Sequence, residues 1–428
     1  MKWLFLVVAL LLAGCVSAGP AGESLDAIAR DYVKLQLAIG EKEEGYIDAY
    51  YGPPEWQAEA KTKAATLPDL AARAGVLTIR LRSLADARLE PMELRRRDFL
   101  IAQLKAASTR LRMIQGEKLA FADEAEGLFG VRPELKPLSA YDPILARIER
   151  LVPGAGRLAD RAEAFAERFS IPRGRLEPVM RAAIAECRRR TLDHIAMPAD
   201  ERFTLEFVTG KSWGGYNWYK GNATSLIQVN TDLPVRIGRA VDLGCHEGYP
   251  GHHVYNALLE QKLAKGRGWV EFTLYPLYSP QSFIAEGSAN YGIELAFPGH
   301  QQLAFETSNL YPIAGLPTAG AAEYLELGRA VQALAGARFT IAADYLDRRI
   351  DRAKAVELTR KYQLVSAARA EKAVAFIDQY RSYVINYGLG LDYVRTYVES
   401  FGEAPERRWQ AMESLLSGPT LPSDLVVP

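Results

Sequence analysis

The chain is 428 residues long, 49% apolar and 24% charged, an ordinary globular balance with enough apolar side chains for a sizeable core. Lys+Arg and Asp+Glu tie at 52 each, so nothing in the charge favours nucleic acid or another polyanion, and no such partner is expected. Three cysteines (Cys15, Cys187, Cys245) are too few for a disulfide scaffold, although Cys187 and Cys245 could pair.

The chain opens with Lys2 and the apolar run Trp3 to Leu12, too short for a stable membrane span, and then Leu12-Ala13-Gly14-Cys15. This resembles the bacterial lipoprotein signal, which is cut before the cysteine and leaves that cysteine lipidated; a secretory signal cut after Ala18 is the alternative. The expectation is a signal peptide over residues 1–14, lipidation at Cys15, a tether over 15–23 and an exported protein anchored by lipid. By the same resemblance Val16, standing where no Asp follows the cysteine, points to the outer membrane facing the periplasm. No later stretch is long and apolar enough to span a bilayer.

Residues 24–200 read as helices separated by Pro/Gly breaks. Ser24-Leu25-Asp26-Ala27 opens the first, and further periodic runs fall near 67–86, 93–115, 143–151, 155–168 and 173–194. The aromatic stretch from Tyr46 to Trp56 is interrupted by Gly52-Pro53-Pro54 and reads as a packed loop, with a cleft-lining loop as the sharper alternative.

From residue 201 to the C-terminus the pattern changes, and this half is expected to carry the chemistry. Phe203 to Val208 alternates as a strand does, and Tyr216–Tyr219 and Thr224–Asn230 look like a hairpin turning at Lys220-Gly221-Asn222. A helix from about 235 to 263 follows, a second begins at Ser279-Pro280, and helices return from about 319 to 417. The fold class expected is mainly α, a multi-helical arrangement with a small antiparallel sheet beside the helix over 235–263. The two regions are expected to form one continuous domain over about 24–420.

Three of the five histidines fall between positions 246 and 253, in Cys245-His246-Glu247-Gly248-Tyr249-Pro250-Gly251-His252-His253. A His followed directly by Glu on a helix is the arrangement in which imidazoles hold zinc and the carboxylate activates its water. The usual second His, four residues on, is replaced by Pro250. An undistorted helix would separate His246 from His252 by ~9 Å along its axis, too far for one ion. A bulge at Gly248-Tyr249-Pro250 is therefore required, and Gly and Pro are the residues that permit one. With two residues looped out, His252 takes the second ligand position; His253 remains the alternative. Glu286 on the next helix is the best third ligand. Glu294, two turns further on, reads either as a support for a His ligand or as a surface residue.

At these residues the sequence resembles a bacterial family catalogued as domain of unknown function 885. That family is marked by His-Glu-x-x-Pro-Gly-His-His and grouped with gluzincin-type zinc metallopeptidases. The resemblance extends to Asp48-Ala49-Tyr50-Tyr51-Gly52-Pro53-Pro54, to the hairpin ending in Val229-Asn230, to Glu286-Gly287, and to Ser382 through Gly390. Ser288 stands where the family often has Trp. The resemblance implies a mostly helical fold around a deep channel, with His246, His252 and Glu286 on Zn2+ and Glu247 as catalytic base. Tyr387 matches a family tyrosine, and a phenol beside zinc can donate a hydrogen bond to a developing oxyanion; a packed tyrosine is the alternative.

The activity expected is hydrolysis of peptide bonds in the cell envelope by a zinc metallopeptidase. Its competitors are a zinc amide hydrolase acting on a non-peptide cell-wall substrate and a metal- or peptide-binding lipoprotein without catalysis.

Overall fold

The structure, a computed structural model, describes residues 23–426; the signal segment and Cys15 lie outside the described residues. Helices dominate, and their ends are where capping chemistry puts them. Ser24 accepts a hydrogen bond from the Ala27 amide at the head of Leu25–Gly40. Thr66 and Asp69 cap Leu67–Arg82 reciprocally. Pro280 occupies the first turn of Pro280–Ala296, where its missing N–H costs nothing. Pro91–Ile114, Asp142–Leu151, Leu158–Glu167 and Leu176–Leu192 follow the periodic runs read from the sequence.

Side chains from both sides of residue 200 share one large apolar core, which reaches from Leu25 to Leu425. Phe99, for example, stacks on Phe272 with ring centres 5.0 Å apart. Beside them the buried Arg96 is clamped by Glu271 at 2.5 and 2.9 Å and by Asp26 at 2.6 Å, tying three distant segments together. Truncating Glu271 would strand a buried guanidinium, which makes this pairing a strong determinant of the N-terminal arrangement. A smaller cluster around Ile148, Leu334 and Ile341 packs alongside.

Among the described residues five short strands form two sheets. Strand β1 (Ile47–Tyr50) pairs antiparallel with β5 (Leu274–Pro276). The aromatic stretch expected to be a loop is therefore partly a strand, because β5 supplies partners far along the chain. Strands β3 (Gly215–Tyr219) and β4 (Thr224–Asn230) form the expected antiparallel hairpin, turning through Gly221, Asn222 and Ala223, all at positive φ. Strand β2 (Arg202–Val208) pairs parallel with β4, so the order is β2-β4-β3 and β3 lies at an edge.

The helix Pro280–Ala296 is buried along nearly its whole length, as an apolar helix at the centre of a large bundle must be. Its two glycines set the packing. A Cβ on Gly287 would lie 2.4 Å from the Gly390 carbonyl oxygen, so this helix crosses Ile385–Glu399 backbone to backbone. A Cβ on Gly292 would lie 2.7 Å from the Pro250 ring, so the opposite end is fitted to the histidine motif.

Candidate metal centre

The motif does interrupt its helix. Gly238–Leu243 is α-helical, Gly244–Gly248 widens into a π turn, Tyr249 to Gly251 leave the helix, and it resumes at His252–Leu259. The Gly251 amide donates to the Cys245 carbonyl at 3.0 Å, and a Cβ on Gly251 would fall 1.8 Å from the His246 carbonyl oxygen. Only glycine fits there. Across this bulge the Nε2 atoms of His246 and His252 stand 3.1 Å apart.

Glu286 completes the cluster. Its Oε2 lies 3.1 Å from His246 Nε2 and 3.7 Å from His252 Nε2. Tetrahedral zinc with bonds of ~2.0–2.1 Å sets neighbouring ligand atoms about 3.3 Å apart, and the three observed separations bracket that value. Glu286 Oε2 is also buried with no hydrogen-bond partner, a costly state for an acceptor unless a cation meets it. Two imidazoles and one carboxylate are zinc-type donors, so the residues present fit the ion. Burial opposes the Glu286 charge, but the imidazoles of His252 and His246 outweigh it and hold the carboxyl well below its usual range. Burial likewise opposes charge on His252, while the Glu286 and Glu247 carboxylates raise its pKa to about 9. A metal entering here displaces that proton.

A surrounding layer orients these ligands. Asn290, one turn beyond Glu286, donates from Nδ2 to the Tyr387 carbonyl at 2.9 Å, which leaves its Oδ1 facing His246 Nδ1 at 3.1 Å. That oxygen can only accept, so His246 carries its proton on Nδ1 and presents a lone pair at Nε2. The Tyr383 hydroxyl donates to Glu286 Oε1 at 2.7 Å. Tyr387 stacks near His246, ring centres 6.2 Å apart, and its side chain borders the cavity described below.

Of the alternatives left open by the sequence, the structure brings His252 to the cluster and turns His253 away. His253 is fully buried, with Nδ1 on Ser225 Oγ at 2.8 Å and Nε2 on Glu201 Oε2 at 3.0 Å. Glu201 also holds Arg188 and the Tyr249 hydroxyl, so this network pins the bulge to the sheet and to Leu176–Leu192. Glu294 does not support a histidine; it is paired with Arg395 at 2.6 and 3.1 Å. His194 stacks on Trp409, and His300 is exposed ahead of Gln301–Phe305. Cys187 and Cys245 are joined by a disulfide, Cα atoms 5.3 Å apart.

The cluster opens onto a cavity of about 1380 Å³. Glu247 lines it beside the edge strand: a Cβ on Gly215 would lie 2.9 Å from Glu247 Oε1, so glycine makes room for the carboxylate. Asn217 Nδ2 donates to the Glu247 carbonyl at 2.6 Å and fixes its backbone. Burial raises the pKa of Glu247, as suits a proton acceptor. Asp48 of β1 also borders the cavity; burial lifts its pKa to about 6, against the stabilising hydrogen bond from the Tyr216 hydroxyl. Asn290, Tyr383 and Asp48 were missed as site residues. Asp48 and Tyr383 both fall in stretches that carry the family resemblance, whereas Asn290 lies one turn from Glu286.

No protein-family model matches the chain, and no curated protein does, so the family resemblance rests on the motif residues themselves. Among solved structures the chain is similar to one described as a "putative lipoprotein" from Colwellia psychrerythraea. The two share 17% identity at a TM-score of 0.52, over 94% of this chain and 74% of that one. It is also aligned with the M32 carboxypeptidase from Deinococcus radiodurans R1 at 12% identity and a TM-score of 0.36, over 91% of this chain and 88% of that one. The first likeness shows a shared fold. The chain is thus a mainly helical protein that gathers two histidines and a glutamate into a potential metal site at the wall of a large cavity.

Proposed function

We propose that the protein is a zinc-dependent metallopeptidase of the cell envelope, tethered through a lipid on Cys15. The observation that carries this reading is the convergence of His246, His252 and Glu286 with Glu247 at the wall of one cavity. Export and the lipid tether rest on the N-terminal sequence, and relationship to the domain of unknown function 885 family rests on the motif. The zincin-like character rests on the motif helix with an edge strand alongside it.

His246, His252 and Glu286 would hold zinc, which when bound supplies Lewis acidity toward a peptide carbonyl and lowers the pKa of a water. The free edge of β3 offers backbone groups to pair with an extended peptide, which would run past the Glu247 carboxylate. Glu247 takes a proton from the attacking water on a carboxylate oxygen and delivers it to the nitrogen of the departing amine. The Tyr387 hydroxyl donates to the carbonyl oxygen as that atom acquires negative charge. Tyr383 keeps Glu286 oriented and takes no part in proton movement. The substitution Glu247→Gln preserves shape and removes the proton acceptor, so peptide hydrolysis should fall by at least ~10³-fold with zinc content unchanged. Hydrolysis at a wild-type rate by that variant overturns the reading.

A further inference from the structure

Most cationic side chains bordering the cavity already have carboxylate partners. Arg236 and Arg369 share Glu163, Arg239 meets Asp242, Lys372 meets Asp232, and Arg395 meets Glu294. Arg329 is exposed and donates to the Gly299 carbonyl. Arg338 differs from all of these. Among the described residues no carboxylate lies within ion-pair distance of it, and its Nε is buried without a hydrogen-bond partner.

Its position is built into the fold. Arg338 projects from Ala335–Leu346, which packs closely on Ile385–Glu399 at Gly388: a Cβ there would lie 2.7 Å from Phe339. The guanidinium sits over two aromatic rings, 5.2 Å from the centre of Phe376 and 5.7 Å from that of Tyr387. Such faces attract the cation, but they leave the in-plane N–H fork unanswered. Arg338 is half-buried at the cavity wall with its Nε sealed off, and a planar fork of this kind is matched by a carboxylate, two parallel hydrogen bonds at once.

We propose that Arg338 binds the free α-carboxylate of a peptide, so that the protein removes residues from the C-terminus of its substrates. This rests on the metallopeptidase reading above and adds the substrate end that is read. The Tyr387 ring links Arg338 to the metal cluster: it lies 5.7 Å from Arg338 Cζ and 6.2 Å from the centre of the His246 ring. The guanidinium and that imidazole are therefore at most about 12 Å apart. At about 3.5 Å per extended residue, a span of that size, shared with contacts at both ends, accommodates one or two residues beyond the scissile bond. Water adds across the C–N bond and releases a free amino acid or dipeptide, and no other reactant is needed.

The test measures binding apart from turnover. An N-acetylated tetrapeptide with a free C-terminus and its C-terminal amide are titrated calorimetrically into the full exported chain carrying Glu247→Gln. The acid should bind about 10- to 100-fold more tightly than the amide, as a charge-assisted pair requires. Adding Arg338→Gln should erase that preference, and Arg338→Lys should restore part of it, with zinc content and circular dichroism unchanged in both. Equal binding of acid and amide, or a preference that survives Arg338→Gln, overturns the proposal. With the unmodified protein, mass spectrometry should show loss of one or two C-terminal residues and an intact amide. Internal cleavage of the amide overturns this proposal and leaves the metallopeptidase reading standing. An acid preference through Arg338 without cleavage of any peptide supports the carboxylate site and overturns the metallopeptidase reading.

Discussion

Replacing Asn290 by alanine removes the acceptor for His246 Nδ1–H, a contact of 3.1 Å, and the donor to the Tyr387 carbonyl, one of 2.9 Å. Losing such a partner behind a zinc-bound imidazole costs roughly 10- to 100-fold in metal affinity, or about 1.4–2.8 kcal/mol. The upper half of that range applies here. The His246 side chain is 11% exposed, so little water is at hand to replace the lost acceptor. The imidazole also becomes free to adopt the other tautomer, with its proton on the nitrogen that faces Glu286. Competition against a chromophoric zinc chelator at fixed pH reads the change directly. Asn290→Asp serves as the internal control, since it keeps an acceptor toward Nδ1–H and loses only the donor to Tyr387. It should hold zinc at least as tightly as wild type while catalysis falls. Wild-type zinc affinity in Asn290→Ala would falsify the assignment of His246 Nε2 as a ligand atom.

The two neighbouring histidines should separate cleanly: His252→Ala loses zinc from a folded protein, while His253→Ala keeps the ligand set. The latter should lose about 2–4 kcal/mol of stability, because it strands Ser225 and a Glu201 carboxylate in the interior. Zinc stoichiometry and urea unfolding, measured on both variants, check the pair. Glu306 is fully buried, with Gln302 on one oxygen and the other unpartnered, and burial raises its pKa from 4.5 to about 7. A carboxyl raised on folding imposes no penalty below pH ~4.5, where both states are protonated; the penalty grows to pH ~7 and is constant above. Glu306→Gln should therefore stabilise the fold by about 3 kcal/mol at pH 8 and leave it unchanged at pH 4, as read by urea titration at the two pH values.

The legible features were those whose cause is local. The cap at Ser24 and the first-turn Pro280 announce helix starts, and the gap of six between His246 and His252 demands a bulge that Gly248 and Pro250 can supply. Glu286 was legible because an acidic residue inside an apolar helix needs a reason to be there. What escaped depends on partners distant in sequence. Strand β1 exists because β5 lies more than two hundred residues away, and Asp48 borders the cavity only through that pairing. Tyr383 and Tyr387 are one helical turn apart in one aromatic stretch, and sequence alone could not say which hydroxyl reaches Glu286. In the fold it is Tyr383 that donates to Glu286 Oε1. Arg338 carries no local signal at all, since an isolated arginine on a helix is ordinarily a solvated surface residue.

The disulfide beside the motif bears on which atoms compete for metal. With both thiols free, Cys245 would stand next to His246, and Cys187 would be a second soft donor of a kind that zinc favours. A thiolate–imidazole pair would compete for the ion with a different donor set. In the disulfide both sulfurs are withdrawn from that contest, leaving the nitrogen and oxygen donors at His246, His252 and Glu286. The bond that staples Leu176–Leu192 to the motif thus also narrows the donors beside the cavity to imidazole and carboxylate.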